Sequence, residues 1–263
     1  MKICEKEVGD IGFGTWGIGG GYWQKDFTKD SESIEILSYA YSKGIKLFDT
    51  AEMYGDGHSE ELVGKALKGY EVFIVSKVWS NHLRYEDLIK SGINSRKRLG
   101  IKSIDLYLIH WPNKSVPIEE SIKALEELID KGIINCMGVS NFDVNLLEKA
   151  ISAAKKYEIA ANEIEYNILN KSPEKDIIPF SKKNNIKIIA YSPLAKGEVA
   201  YIKQLEEIGK KYNKTPIQVA LNYLTRNSIP IPKAANKKHI DEIIGSLGWQ
   251  LREEDYRFLQ NNI

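Results

Sequence analysis

Leu47-Phe48-Asp49-Thr50-Ala51-Glu52-Met53-Tyr54-Gly55 is the stretch that decides how the rest of this sequence is interpreted. An apolar run from Ile45 to Phe48 ends abruptly in Asp49, and Tyr54 follows five residues later. A buried strand made of Ile, Leu and Phe gives no reason for a carboxylate at its end. In a parallel barrel, however, the C-terminal ends of the strands form the face where chemistry takes place. The other strand ends should then also carry polar groups.

Eight strand-like runs follow one another along the chain, most of them at intervals of roughly 26 to 34 residues, which is close to the length of a βαβ unit. Several are continuous apolar runs, as expected when helices cover the outer face of a parallel sheet. The runs are 11–13, 45–49, 72–77, 104–109, 133–139, 160–164, 186–191 and 229–231.

Helix-like segments separate these runs, and several begin with a recognisable cap. Ser59 and Asp143 are candidate N-caps, and Thr215 with Gln218 forms a capping-box pattern. The segments are 31–43, 60–68, 85–99, 118–131, 144–156, a start at 172–173, 201–211, 216–226, 237–247 and 252–260. Eight alternations in residues 1–263 predict a single-domain (β/α)8 TIM barrel with extra helices near the C-terminus and a short N-terminal hairpin at 2–8. A doubly wound sheet would usually stop at five or six strands.

Composition narrows the class of protein. The 263 residues are 43% hydrophobic and 28% charged, with a formal net charge of +1. This balance favours neither a nucleic acid nor a membrane as partner, and no apolar run approaches the ~20 residues of a membrane span. Cys4 and Cys136 are the only cysteines, and they predict neither a disulfide framework nor a zinc site. With no signal-peptide core at the N-terminus, we expect a cytoplasmic monomer in a reducing compartment.

A glycine cluster near the N-terminus imitates a dinucleotide-binding fingerprint. Residues 12–17 match G-x-G-x-x-G, but that motif must open a helix directly, and no helix-like segment starts before about Ser31. We therefore interpret the cluster as a loop at the mouth of the barrel. Trp16, Tyr22 and Trp23 are then candidate pocket walls.

Polar residues at neighbouring strand ends suggest a proton-donating device. Asp49 ends the second strand, Lys77 the third, and His110 directly follows the fourth. A Lys77 ammonium beside the Tyr54 phenol would lower the pKa of that phenol from ~10, and Asp49 would be the counter-ion. Such a tyrosine can protonate a carbonyl oxygen that His110 orients, and a nicotinamide would have to supply the hydride. The rival explanation, a metal site, lacks further ligands at suitable spacing.

These residues stand in motifs that resemble the aldo-keto reductase superfamily over nearly the whole chain. The matching stretches are 14–16, 49–51 with 54–55, 76–77, 110–112, 138–142, 165–167, 191–194 and 231–233. The resemblance implies a (β/α)8 barrel that reduces aldehydes and ketones with NADPH, NADH being possible. It implies Asp49, Tyr54, Lys77 and His110 as catalytic residues.

The resemblance also implies cofactor and substrate contacts. Tyr191 would stack on the nicotinamide ring, Ser140, Asn141 and Glu163 would hold its carboxamide, and Ser192 and Leu194 would line the pyrophosphate path. Further cofactor contacts are expected at Gly14, Thr15, Trp16, Asp49, Lys233, Asn236 and His239. The small-molecule carbonyl substrate is expected to contact Trp16, Trp23, Trp79, His110 and Trp111.

Three departures from the family pattern affect these expectations. Glu163 stands where glutamine is usual, and Ala234 and His239 stand where a serine and an arginine are common. We still expect NADPH to be preferred over NADH. The chain ends at Ile263 without the C-terminal loop of many relatives, which predicts an open pocket and broad selectivity. The alternative function is a cofactor-binding regulatory subunit with little turnover.

Overall fold

The predicted apolar runs form one parallel sheet that curls into a barrel. The computed structural model describes all residues from 1 to 263. The chain begins with the expected hairpin, β1 (Lys2–Ile3) and β2 (Lys6–Glu7). A second hairpin, which the sequence did not predict, lies within the glycine-rich loop. The strands that follow β1 and β2 are β3 (Gly12–Gly14), β4 (Gly20–Gly21), β5 (Gln24–Lys25), β6 (Leu47–Asp49), β7 (Phe73–Val78), β8 (Ile104–Ile109), β9 (Ile134–Ser140), β10 (Ile159–Glu165), β11 (Lys187–Tyr191) and β12 (Ile229–Pro230).

The barrel sheet has the strand order β12-β11-β10-β9-β8-β7-β6-β3, and every pair in it is parallel. Its two ends meet where the Gly14 amide donates to the Pro232 carbonyl at 3.2 Å. A Cβ on Gly14 would lie 2.7 Å from the Ile231 carbonyl oxygen, so glycine is needed for the two edges to approach. The closed ring of eight parallel strands confirms the predicted (β/α)8 barrel.

Ten α-helices cover the barrel. They are α1 (Asp30–Ser42), α2 (His58–Ala66), α3 (Tyr85–Leu99), α4 (Ile118–Asp130), α5 (Val144–Ala153), α6 (Ile177–Lys183), α7 (Lys203–Tyr212), α8 (Pro216–Thr225), α9 (Lys237–Ile244) and α10 (Glu253–Asn262). Short 3-10 helices lie at Ser80–His82, Ser172–Glu174 and Ala195–Tyr201. No helix of the structure combines the length and the apolar character that crossing a membrane requires.

Two of the four predicted caps are confirmed. Asp143 accepts a hydrogen bond from the Leu146 amide at 2.8 Å, and Thr215 with Gln218 forms the full capping box. Ser172 is the first residue of its 3-10 helix, and its side chain forms no cap hydrogen bond. Ser59 is not a cap, because α2 starts at His58, two residues before the predicted start. Its hydroxyl is buried and meets the hydroxyls of Thr15 at 2.8 Å and Thr50 at 3.1 Å, so a core contact took the place of the predicted cap.

The N-terminal hairpin covers the bottom of the barrel. Ile3 and Val8 pack in the same apolar cluster as the inward-facing side chains of the barrel strands, and both are nearly fully buried. Burial of two such side chains contributes about 1.5–3 kcal/mol each. The hairpin therefore closes the barrel at the face opposite the C-terminal strand ends.

A disulfide between Cys4 and Cys136 corrects the prediction made from the cysteine count. The two Cα atoms are 6.5 Å apart, and 132 positions separate the residues in sequence. Cys4 lies in the turn of the hairpin and Cys136 near the start of β9, and the fold brings these distant segments together at the bottom of the barrel. Cysteine usage therefore gives no support for a reducing compartment.

Candidate active site

A buried ion pair between two neighbouring strands forms the floor of the site. Lys77 points from β7 to Asp49 at the end of β6, with Nζ 2.7 Å from both carboxylate oxygens. The same ammonium donates to the Thr50 carbonyl at 3.0 Å. Lys77 is 0% exposed and Asp49 is 2% exposed. Burial alone would lower the pKa of Lys77, but Asp49 and Glu163 outweigh that effect and raise it, so the ammonium stays charged.

Tyr54 reaches this ion pair from the loop after β6. Its hydroxyl oxygen is 3.5 Å from Lys77 Nζ. The loop that carries it packs tightly on the glycine-rich loop, where the Gly55 amide donates to the Gly21 carbonyl at 2.7 Å. A Cβ on Gly55 would lie 2.1 Å from the Gly19 carbonyl oxygen, and φ of Gly55 is +57°. Glycine at this position therefore allows the close approach that fixes the neighbouring tyrosine.

The pKa of Tyr54 corrects one expectation from the sequence. Lys77 acts in the predicted direction and lowers the pKa, but burial of the phenol is the larger effect, and Asp49 and Glu163 add to it. The net result is a pKa above the ordinary value. The sequence showed the cation beside the phenol but not the depth of burial, which reverses the sign.

His110 lies across the site from Lys77, beyond the end of β8. Its ring centroid is 5.7 Å from that of Tyr54 and 5.1 Å from that of Trp79. Burial first, and then the nearby Lys77 charge, holds the pKa of His110 well below its usual value. The ring is therefore neutral, with one donor and one acceptor nitrogen. The buried Nδ1 has no hydrogen-bond partner in the chain.

A second buried ion pair behind β7 was missed by sequence reasoning. Glu60 of α2 is fully buried, accepts from the Ser76 hydroxyl at 2.5 Å and pairs with Arg98 Nε of α3 at 2.6 Å. Ser76 precedes Lys77 on β7 and faces the opposite side of the sheet. The pair therefore anchors the strand that carries Lys77. Ser76 stands beside Lys77 in the sequence, but its partner Glu60 lies 16 residues away. Arg98, which pairs with Glu60, lies 38 residues from Glu60.

The Asp49–Lys77 ion pair lies below a cavity of about 860 Å³ at the C-terminal ends of the strands. Most of the predicted site residues meet here. The predicted residues that line the cavity are Gly14, Trp16, Asp49, Tyr54, His110, Trp111, Ser140, Asn141, Glu163, Tyr191, Ser192, Leu194, Lys233 and His239.

The remaining predicted site residues do not line the cavity, and among them Lys77 is fully buried beneath it. Thr15 is fully buried and its hydroxyl meets Ser59, and Asn236 caps α9 by accepting from the His239 amide at 3.0 Å. Trp23 and Trp79 pack on each other with ring centroids 6.5 Å apart, and Trp23 is exposed. The substrate contacts expected at these two tryptophans stay predictions.

Aromatic rings form one wall of the cavity. Trp16 packs on Tyr22 and Tyr54, with ring centroids 4.5 Å and 5.0 Å away. Trp16, Tyr22 and Trp111 are all exposed. Such a wall suits flat or apolar molecules.

The half of the cavity near β9 and β11 is polar. Tyr191 donates from its hydroxyl to Asn141 Oδ1 at 2.8 Å, and Asn141 Nδ2 donates to the Ser140 hydroxyl and the His110 carbonyl, both at 3.0 Å. Asn141 has φ of +62°, a backbone region that asparagine tolerates better than most residues. Burial raises the pKa of Tyr191 to about 12, and Glu165 and Glu163 add to this effect. Tyr191 is therefore a neutral ring at one side of the cavity.

The far end of the cavity carries unpaired positive charge. Lys233 is exposed and forms no ion pair, and its Nζ lies 2.9 Å from the position a Cβ on Gly17 would occupy. Burial lowers the pKa of Lys233, and Lys29 lowers it further. His239 lies nearby in the first turn of α9. Lysines whose charges repel each other favour the binding of an anion.

Several further residues of the cavity lining did not come from sequence reasoning. Part of the wall is the 3-10 segment Ala195–Tyr201, whose residues Ala195 and Lys196 have positive φ. No strand or helix period marks such a segment in sequence. The unpredicted residues are Met53, Pro193, Lys196, Gly197, Ala200, Tyr201, Ile217, Ile231, Pro232, Glu242 and Ile243, with Tyr22, which was considered only as a pocket wall.

No group of three or more His, Cys, Asp or Glu side chains is placed to hold a metal ion. Asp49 and His110, which raised that possibility, are not joined by further ligands. Asp49 instead uses both carboxylate oxygens on Lys77.

Comparison with known proteins agrees with this architecture. The sequence model of the Aldo/keto reductase family matches residues 10–261. The crystal structure of the thermostable aldo-keto reductase Tm1743 in complex with the inhibitor epalrestat has a TM-score of 0.95 at 41% identity, covering 99% of this chain and 98% of that one. An aldo/keto reductase from Klebsiella pneumoniae, in complex with NADP and acetate, has a TM-score of 0.89 at 29% identity, covering 97% and 91%.

Among curated proteins, the methylglyoxal reductase YeaE of Escherichia coli is 31% identical to this chain. The match covers 95% of this chain and 89% of that protein. Because the family match spans nearly every residue and the barrel carries the buried Asp49–Lys77–Tyr54 group at its C-terminal face, the chain belongs to the aldo/keto reductase family of oxidoreductases.

Proposed function

We propose that this protein reduces small aldehydes and ketones to alcohols with NADPH, reversibly, and that Tyr54 supplies the proton. The observation that carries this proposal is the 3.5 Å contact between the Tyr54 hydroxyl and Lys77 Nζ. The lysine is held by Asp49 at the floor of a large cavity. A phenol in contact with a fixed ammonium is placed to give up its proton, because the ammonium stabilises the phenolate that remains.

The residues around the cavity fit a nicotinamide cofactor. Glu163 Oε2 and His110 Nδ1 are buried polar atoms without partners in the chain, and such atoms usually mark a ligand or an ordered water. Tyr191 offers a ring face, and Ser140 and Asn141 offer polar groups beside it. We propose that these residues, with Glu163, hold the nicotinamide end, and that Ser192 and Leu194 lie along the pyrophosphate.

The proton transfer follows from the charges at the floor. The bound cofactor supplies a hydride to the carbonyl carbon. Tyr54 is fully protonated at neutral pH because its pKa is raised, and it donates to the substrate oxygen as that oxygen becomes a strongly basic alkoxide. Lys77 stabilises the phenolate that remains. Neutral His110 can donate one further hydrogen bond to the same oxygen, which fixes the orientation of the carbonyl group.

The preference for NADPH over NADH rests on the positive end of the cavity. Lys233 and Lys29 can attract the additional phosphate of NADPH, and His239 in the first turn of α9 adds a donor near the positive end of the helix dipole. We expect kcat/KM to be higher with NADPH than with NADH. Lys233→Met should reduce kcat/KM for NADPH roughly tenfold and leave that for NADH nearly unchanged. An equal loss with both cofactors would show that Lys233 does not contact the phosphate.

The proposal is tested by following NADPH oxidation with methylglyoxal, 4-nitrobenzaldehyde and a panel of ketones. We expect turnover with the aldehydes, and reversal when an alcohol and NADP are supplied. Binding of NADPH without turnover of any carbonyl compound would favour the regulatory-subunit alternative. Turnover of a single compound across the panel would contradict the expected broad selectivity.

A further inference from the structure

Glu163 is a second carboxylate in a site that has only one cation to neutralise it. It lies on β10 with a side chain that is 3% exposed, and its Oε1 is 3.3 Å from Lys77 Nζ. That contact does not have the geometry of a hydrogen bond, and Oε2 has no partner at all. A buried carboxylate in such surroundings is costly unless it gains a proton or a ligand.

The hydrogen-bonding capacity of Lys77 is already used. An ammonium has three protons, and Lys77 Nζ is 2.7 Å from both oxygens of Asp49, 3.0 Å from the Thr50 carbonyl and 3.5 Å from Tyr54. With Asp49 and Glu163 both ionised, the buried group would carry a net charge of −1. Burial raises the pKa of Glu163 well above its usual range, Asp49 raises it further, and Lys77 opposes both.

No other neighbour of Glu163 offers a positive charge. Tyr54 and Tyr191 are phenols with raised pKa values, and His110 is neutral because its pKa is depressed. The side-chain amide of Asn141 is already bonded to the His110 carbonyl, the hydroxyl of Tyr191 and one further hydroxyl. The least costly state of Glu163 in this site is therefore the protonated one.

Protonation changes what Glu163 can do for a ligand. A neutral carboxyl group has one donor and one acceptor side, as the amide of glutamine has, whereas a carboxylate only accepts. The carboxamide of a nicotinamide presents an NH2 donor and an oxygen acceptor. A neutral Glu163 can satisfy both, and an ionised Glu163 would face the carboxamide oxygen with a like partial charge.

We propose that Glu163 binds the nicotinamide carboxamide as a neutral carboxylic acid, so that loss of its proton weakens the binding of NADPH as pH rises. This inference rests on the proposed function, because it requires the nicotinamide end to lie at this side of the cavity. It explains how a glutamate can stand in this position, since its neutral form offers a donor and an acceptor, and it predicts that glutamine can replace it.

The test compares NADPH binding by the wild-type chain, Glu163→Gln and Glu158→Gln, measured by quenching of tryptophan fluorescence from about pH 6 to about pH 9. Glu158 is exposed and lies just before the start of the same strand, so it is a matched control. We expect the dissociation constant of the wild type to rise relative to that of Glu163→Gln by at least fivefold over this range. Glu158→Gln should follow the wild type. Titration of the cofactor phosphate affects all three chains equally and cancels in the ratio.

A second measurement needs no cofactor. A carboxyl group whose pKa is raised on folding contributes stability that is complete below its unfolded pKa of about 4.3 and is lost as pH rises through the folded pKa. Glu163→Gln should therefore gain in Tm relative to the wild type as pH increases, and Glu158→Gln should not.

The outcomes separate this inference from the proposed function. Parallel pH profiles for wild type and Glu163→Gln, in binding and in Tm, would overturn the neutral-acid assignment. So would weaker binding by Glu163→Gln at acid pH, because it would show that the charge is needed. Failure of every chain to bind NADPH would defeat the proposed function, while the Tm profiles would still report the protonation of Glu163.

Discussion

At the scale of single residues, burial and neighbouring charges have opposing effects on the protonation states of the site residues. Burial favours the neutral form of every ionisable group at the cavity floor. Only Asp49 and Lys77 have partners good enough to stay ionised, at two distances of 2.7 Å. Tyr54 and His110 are neutral, which leaves them able to donate to a substrate oxygen. Asp49 thus keeps the positive charge of Lys77 fixed next to the Tyr54 hydroxyl.

Replacing Tyr54 with phenylalanine removes the proposed acid and little else. We expect kcat for aldehyde reduction to fall by about 10² to 10⁴, the usual contribution of a general acid. The dissociation constant for NADPH should change by less than about twofold, since the ring remains. Steady-state rates and fluorescence titration measure the two quantities.

The matched control for this variant is Tyr70→Phe. Tyr70 is exposed and stacks on Tyr41, with ring centroids 4.4 Å apart, outside the cavity. Its kcat should equal that of the wild type. A Tyr54→Phe enzyme with near-normal kcat would exclude Tyr54 as the proton donor.

At the scale of elements, the position of Lys77 depends on contacts made on the outer side of its strand. Lys77 faces Asp49 inside the barrel while Ser76 faces the helices, where Glu60 of α2 and Arg98 of α3 form an ion pair. That pair links two helices to β7. A shift of β7 would move Lys77 away from Asp49 and Tyr54, so the outer ion pair positions the inner one.

Removing Arg98 tests this link. Arg98→Met leaves Glu60 buried without a counter-ion, and we expect the free energy of unfolding to fall by about 3–5 kcal/mol near neutral pH. Burial raises the pKa of Glu60, and Arg98 opposes this effect. Without Arg98, the Glu60 carboxyl should therefore hold its proton more strongly. The stability deficit of the variant should then grow as pH rises above about 4.3, the unfolded pKa of glutamate.

Urea denaturation at several pH values measures this deficit. The double variant Glu60→Gln/Arg98→Met carries no buried charge and should recover a large part of the lost stability. Equal stability of the single and double variants would mean that Arg98 contributes packing rather than charge compensation.

The same elements show which features sequence reasoning can reach. The bounds of β8 and α3 were predicted without error, because an apolar run and a glycine at residue 100 mark them locally. Asp49, Lys77 and His110 were found because parallel strands bring their C-terminal ends to one face. Glu60, Cys4 and the pKa of Tyr54 were not predicted correctly, because each depends on a partner far away in sequence or on burial depth. Local patterns contain neither quantity.

At the scale of the whole molecule, stability and chemistry are concentrated at opposite ends of the barrel. The cavity lies at the C-terminal strand ends, while the hairpin and the Cys4–Cys136 disulfide close the other end. This division is the usual one in barrels of this class. It predicts that changes at the bottom affect unfolding and leave turnover intact.

Breaking the disulfide tests that division. Its loop spans 132 residues, for which chain entropy gives about 5 kcal/mol, with about 2 to 5 kcal/mol as the usual observed loss. Cys4→Ser should lower Tm by several degrees and leave kcat/KM for aldehydes within about twofold of the wild type. Calorimetry and steady-state kinetics measure the two effects.

The partner variant provides the control. Cys136→Ser and the double variant should show the same loss as Cys4→Ser, because either change opens the same bond. Additive losses in the double variant would show that the two sulfurs act independently. A large fall in kcat/KM would show that the two ends of the barrel are coupled.

The Cys4–Cys136 bond has a chemical consequence of its own. Both cysteines of the chain are joined in this bond, so no free thiol remains. Aldehydes and dicarbonyl compounds are electrophiles, and a thiolate adds readily to their carbonyl carbon. An enzyme with the function we propose would thus present no thiol to its substrates, and this protection would end when the bond is reduced.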